Sequence, residues 1–170
     1  MVQLRQGLAA SQATGAEVDA PGFLAWLAEV QGKVGRVEEG LKLLDKATAV
    51  MRKNENRSWE AELYRLKGQL TLQKFQVSGF KFQVQNSLES GVRSPELEAE
   101  ECFLRAIDIA RKQQAKSLEL RAVMSLSRLW QQQGKKAEAR QMLAEIYGWF
   151  SEGFDTADLK EARALLEQLS

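Results

Sequence analysis

The feature that most constrains this chain is a spacing that occurs three times. A small residue is followed four positions later by a large apolar one, and three after that by another apolar residue. The copies are Gly40-x3-Leu44-x2-Ala47, Ala99-x3-Phe103-x2-Ala106 and Ala139-x3-Leu143-x2-Ile146. Positions i, i+4 and i+7 share one face of an α-helix, so each copy marks a helix with a buried stripe and one small residue for close approach. Gly35 and Gly134 lie five residues upstream of two of the copies, where a preceding helix can stop cheaply in the left-handed conformation. Chains self-similar in this way bury their stripes by stacking one unit on the next.

Apolar periodicity predicts eight helices, near residues 2–13, 21–34, 37–53, 57–74, 95–113, 117–133, 136–150 and 156–168, with short loops that favour antiparallel neighbours. The two prolines both sit at predicted helix starts, Ala20-Pro21 and Ser94-Pro95. Proline suits the first turn because its missing N–H would have no partner there. Ser94 is the expected N-cap, with Glu96, Glu98, Glu100 and Glu101 near the positive helix end. Gly15 reads as a further helix stop.

One stretch breaks the pattern. Residues 75–93 lack helical periodicity and contain a direct duplication, Lys74-Phe75-Gln76-Val77 recurring as Lys81-Phe82-Gln83-Val84. Between the first and second copies, Gly40 and Ala99 are 59 positions apart, whereas Ala99 and Ala139 are 40 apart. The difference equals the length of this stretch, which reads as an inserted flexible loop. Alternation of Phe and Val with Gln and Lys around Ser78-Gly79 is compatible with a small hairpin instead.

Composition narrows the function classes. A chain of 170 residues with 44% hydrophobic content suffices for one domain over 1–170. The formal charge is +1, from 24 basic and 23 acidic side chains, which gives no reason to expect a nucleic-acid or membrane partner. No histidine is present, which removes the commonest general base and transition-metal ligand. Cys102 stands alone beside Phe103 on an apolar stripe and reads as core filler, not as a nucleophile. No apolar run approaches the roughly 18 residues that would span a bilayer, and no signal-peptide core opens the chain. A cytoplasmic setting is expected, and no cofactor or metal. Glu98, Glu100 and Glu101 follow no ligand spacing and have no histidine beside them.

The small residues and stripes resemble the tetratricopeptide repeat, whose units pair two antiparallel helices. On that resemblance the first helices carry their close-packing residues at Ala28, Gly68 and Ser127, and the second helices at Gly40, Ala99 and Ala139. Gln31 and Trp130 stand where the family usually has tyrosine, and the unit is nearer 40 than 34 residues. A closer likeness covers nearly the whole chain. The runs GLAASQATGAEV, WEAELYRLKGQL, AKSLELRAVMSLSRLWQQQGKKAEAR and YGWFSEGFDTADLKEARALLEQL resemble the repeat region at the C-terminal end of bacterial, cyanobacterial-type signalling ATPases and adenylate/guanylate cyclases. The implied fold is all-α, an α-α superhelix of tetratricopeptide type. The catalytic parts of such proteins lie upstream, and this chain carries no phosphate-binding G-x-x-x-x-G-K-[ST] loop. The first segment then resembles the second helix of a unit whose partner is missing, which predicts an exposed apolar edge.

In that family the first helix of each pair lines the concave face. Carrying the spacing over gives a peptide groove of Glu29 and Lys33 from the first unit, Glu62, Arg65, Gln69 and Gln73 from the second, and Arg121, Arg128, Gln131 and Gln132 from the third. Guanidinium forks there would grip carboxylates or backbone carbonyls, and the alternative is that these are solvated helix faces. Trp26, Trp59, Trp130, Tyr147, Trp149 and Phe150 fall at helical spacing and are expected in the core, with Trp26 the exception, close to the concave side. The last helix, within 155–169, reads as a cap, started by Asp155 or Thr156. Its buried stripe is Leu159, Ala162, Leu165, Leu166 and Leu169, and its outer face Lys160, Glu161, Arg163 and Glu167. The expectation is a non-catalytic protein-interaction or sensory module, binding a protein or peptide in the groove and regulating attached ATPase or cyclase domains. The alternative is self-association into a homo-oligomer through the N-terminal helix.

Overall fold

Ser94 and Pro95 open a helix as their chemistry requires. In the computed structural model, which describes residues 20–77 and 94–170, Ser94 has extended backbone at φ −66° and ψ 143°. Its hydroxyl accepts a hydrogen bond from the Leu97 amide at 3.2 Å, and Pro95 fills the first turn. The described residues form seven helices and no strand: α1 (Ala20–Lys33), α2 (Val37–Lys53), α3 (Glu60–Val77), α4 (Pro95–Lys112), α5 (Lys116–Gln132), α6 (Lys136–Tyr147) and α7 (Ala157–Gln168). The predicted helix at 2–13, Gly15, the exposed N-terminal edge and residues 78–93 of the predicted insert lie outside them.

Three boundaries differ from the sequence expectation. α3 starts at Glu60, later than 57, because Asn56 Oδ1 accepts from the Ser58 amide at 3.1 Å and holds the preceding residues in a turn. It then runs on to Val77, so residues 75–77 are helical and not part of a loop. α6 ends at Tyr147, short of 150, with Gly148 as its C-cap.

Three tight turns share one hydrogen-bond pattern. After α1, Gly35 (φ 79°) donates to Gly32 O and Arg36 to Gln31 O, both at 2.9 Å. After α5, Gly134 (φ 82°) donates to Gln131 O and Lys135 to Trp130 O; after α4, Gln114 (φ 54°) donates to Arg111 O and Ala115 to Ala110 O. These paired bonds are the Schellman termination, which satisfies the last carbonyls of one helix as the chain reverses into the next.

The reversed helices cross at small residues. A methyl on Gly40 would lie 3.0 Å from the Ala28 carbonyl oxygen, and one on Gly68 would lie 3.0 Å from that of Ala99. Ser127 Oγ donates to the Ala139 carbonyl at 3.3 Å. The three crossings therefore pair Ala28 with Gly40, Gly68 with Ala99 and Ser127 with Ala139, the six positions singled out in the sequence. All nine residues of the repeated spacing are buried.

Each helix packs on the next in sequence. In addition α1 meets α3, α3 meets α5 and α5 meets α7, whereas α2, α4 and α6 do not touch one another. The odd helices thus form one row and the even helices line its back. Apolar burial falls into two clusters. One lies between α1, α2 and α3 around Leu24, Leu44, Met51 and Leu66; the other spans α4 to α7 around Phe103, Val123, Leu126, Leu143 and Leu165. The Phe103 ring reaches α3, where the missing Gly68 side chain makes room for it.

Trp149 departs from the expected core, whereas Trp26 is exposed as the exception the sequence set apart. Trp149 is 60% exposed because α6 stops before it; it meets Phe150 edge-on at 5.2 Å, with Lys116 Nζ 5.7 Å from its ring. Trp26 is 46% exposed and sits edge-on to Phe23 and Trp59, at 5.6 and 5.8 Å. Trp59, Trp130, Tyr147 and Phe150 are half-buried. No described helix is long and apolar enough to cross a membrane.

Candidate functional site

Because alternate helices touch, their outward faces adjoin and enclose a cavity of about 610 Å³. Its size falls within the roughly 300–1,000 Å³ of ligand pockets. α1 supplies Glu29, Gly32 and Lys33; α3 supplies Arg65, Gln69, Gln73 and Gln76; α5 supplies Arg121, Ser125, Arg128 and Gln132; α7 supplies Asp158 and Glu161. Leu66, Leu70, Leu72, Phe103, Met124 and Leu129 form the apolar part of the lining. Of the ten residues assigned to the groove from the sequence, all but Glu62 and Gln131 line this space. Gln131 is half-buried and outside the lining, while Glu62 lies beneath it.

Glu62 and Arg65 sit three residues apart on α3, on one face of the helix. Both are buried, at 2% and 6% exposure. Arg65 Nε and Nη2 donate to the two Glu62 oxygens at 2.8 Å each, and Nη1 donates to Gln69 Oε1 at 2.9 Å. Burial works against the Arg65 charge, but the hydrogen bonds and charge of Glu62 outweigh it and raise the guanidinium pKa. The expectation that Arg65 offers a free fork is therefore corrected: its donors are engaged within the protein.

The same carboxylate reaches across helices. Arg121 Nη1 on α5 lies 3.0 Å from Glu62 Oε1, and its Nε lies 4.0 Å from Asp158 Oδ2 on α7. Arg128 Nη2 donates to Glu161 Oε1 at 2.6 Å, again joining α5 to α7. At the other end, Gln73 Nε2 donates to the Gly32 carbonyl at 2.7 Å and ties α3 to α1. Lys33 pairs with Glu29 on its own helix at 3.1 Å. Each of the four cations of the lining thus faces a carboxylate, so the cavity is polar but balanced in charge.

Sequence reasoning missed Asp158 and Glu161, because their helix reads as a terminator with a solvated outer face. The available signal was their spacing: acidic residues three apart stand opposite the i, i+7 arginine pair of α5. Gln76 was missed because the helix was ended before it.

Cys102 is buried, and burial pushes its thiol pKa up. Among the described residues no group of three or more Cys, Asp or Glu side chains is placed to hold a metal ion. Glu100 accepts from Trp130 Nε1 at 2.9 Å. No protein-family model and no curated protein matches this chain.

Proposed function

We propose that the chain is a non-catalytic protein-interaction module, a tetratricopeptide-type helical solenoid that holds an extended peptide in the cavity of its alternate helices. The observation that carries this reading is the shared lining: α1, α3, α5 and α7 each contribute side chains to one cavity. Gln69, Gln73 and Gln76 recur on one face of α3, with Gln132 contributed by α5. A carboxamide carries both donors and an acceptor, and beyond the bond that Gln69 Oε1 accepts from Arg65 and the one that Gln73 Nε2 donates to Gly32, these groups match the N–H and C=O of a peptide backbone. Charge balance then favours recognition by shape and amide bonding over capture of a single strong charge. The three crossings and the odd–even layering support the solenoid assignment. A regulatory role beside an ATPase or cyclase, in the cytoplasm, rests on the resemblance of the sequence runs alone.

Random-peptide display on the immobilised protein tests the reading, with the Gln69→Ala/Gln132→Ala double variant as counter-selection. Both glutamines are exposed, and although Gln69→Ala removes the acceptor of Arg65 Nη1, Glu62 still holds that guanidinium by two bonds, so the variant should fold as the parent does. Peptides enriched on the parent and lost on the variant are the expected result. Peptides retained equally by both, or no enrichment at all, would overturn it.

A further inference from the structure

A second cavity, of about 530 Å³, lies between the end of α2, the turn before α3, and α4. Three arginines from three segments line it: Arg52 of α2, Arg57 of the turn and Arg105 of α4. Arg105 lies over Tyr64, its guanidinium carbon 4.6 Å from the centroid of the ring. The turn is tied to α4 as well, since Gln113 Nε2 donates to the Arg57 carbonyl at 2.7 Å. Among the described residues only Arg57 of the three guanidiniums meets a carboxylate, Glu60, at 3.5 Å. Among the described residues Arg52 and Arg105 have no ion-pair partner.

We propose that this cavity is a binding site for a phosphate dianion, separate from the peptide cavity. Three guanidiniums lining one cavity leave it with excess positive charge, and a doubly charged oxyanion offsets that charge while taking paired N–H donors from planar forks. Holding Arg105 against Tyr64 and the turn against α4 lowers the ordering cost of binding. Glu55 and Glu60 on the same lining weaken the attraction for any anion, but the three guanidiniums outnumber them, and a dianion gains more from the net positive charge than a singly charged anion while offering acceptor oxygens to two forks at once.

The test is a titration of the full chain at low salt with inorganic phosphate, followed by two-dimensional NMR of backbone amides. Saturable shifts confined to residues 51–64 and the neighbourhood of Arg105 are expected, with a Kd of about 1 mM or tighter. Arg105→Ala and Arg52→Ala should each weaken binding by about tenfold, Arg105→Lys should not restore it, and Arg128→Ala should leave it unchanged. A phosphoserine peptide and its unphosphorylated form make the second arm. Equal affinity for phosphate and phosphopeptide indicates a free small anion; a marked preference for the phosphopeptide indicates a modified protein segment. Binding equally strong to chloride, shifts spread over every basic surface, or full phosphate binding by Arg105→Lys would each overturn the proposal.

Discussion

Gln31 stands buried on α1, and no described residue donates to its side-chain oxygen. An unpaired buried acceptor costs about 1–3 kcal/mol, because water's hydrogen bonds are lost and nothing replaces them. Methionine has nearly the same length and no polar oxygen to desolvate. Gln31→Met should therefore stabilise the protein by about 1 kcal/mol, and raise the melting temperature by about 2–4 °C for a chain of this size. Thermal and urea denaturation read this directly, and a loss of stability would show that the carbonyl has a partner. At the same scale, the sequence marked Gln31 as a departure from an aromatic position. It gave no sign that the oxygen would be left without a donor, since that depends on what α2 brings opposite.

Between helices, the crossing residues carry the sharpest consequence. A methyl at Gly68 would stand 2.7 Å from Phe103 Cε1 and 3.0 Å from the Ala99 carbonyl oxygen, and the latter is backbone that cannot swing aside. Gly68→Ala should cost about 1–3 kcal/mol through overpacking, despite alanine's better helix propensity; an unchanged urea midpoint would mean that α3 and α4 can separate freely. The α4–α5 turn predicts a pH effect. Glu119 is buried in the first turn of α5, where Ala115 provides no side-chain cap. It accepts from Arg111 Nε at 2.7 Å and Lys116 Nζ at 2.8 Å. Burial alone would raise its pKa, but these two bonds outweigh burial and lower it. A depressed carboxylate stabilises the fold fully above its unfolded pKa of about 4.3, and the contribution fades as pH falls below that. Glu119→Gln should accordingly be less stable at neutral pH and lose less on acidification; parallel stability–pH curves would contradict this. These elements show where the sequence was legible. The crossing triplets could be read because spacing within one helix fixes which residues share a face. The ends of α3 and α6 could not, because the Asn56 turn and the stop at Gly148 overrode an apolar pattern that ran past them.

Across the whole molecule the cavity was legible as a row of helix faces but not as an ionic network. The partners of that network lie far apart in the chain: Glu62 meets Arg121, Arg121 approaches Asp158, and Arg128 meets Glu161. Glu62 is the centre, since it is the carboxylate that both the buried Arg65 and Arg121 share. Glu62→Gln keeps the shape while removing the charge. It leaves Arg65 buried beside a neutral amide that already has its own protons to place. Removing one partner of a buried ion pair costs about 3–5 kcal/mol, whereas an exposed pair such as Lys112–Asp108 is worth about 1 kcal/mol or less. The loss should also be shared, because Glu62 joins α3 to α5 directly and α5 joins α7 through Arg121. Amide hydrogen exchange should therefore speed up in α3, α5 and α7 together in Glu62→Gln, with α2 and α6 less affected. A stability change within about 0.5 kcal/mol, the range of ordinary surface substitutions, would show that Glu62 is not the centre. Faster exchange in α3 alone would show that the pairs fasten helices one by one and do not hold the odd row as a unit.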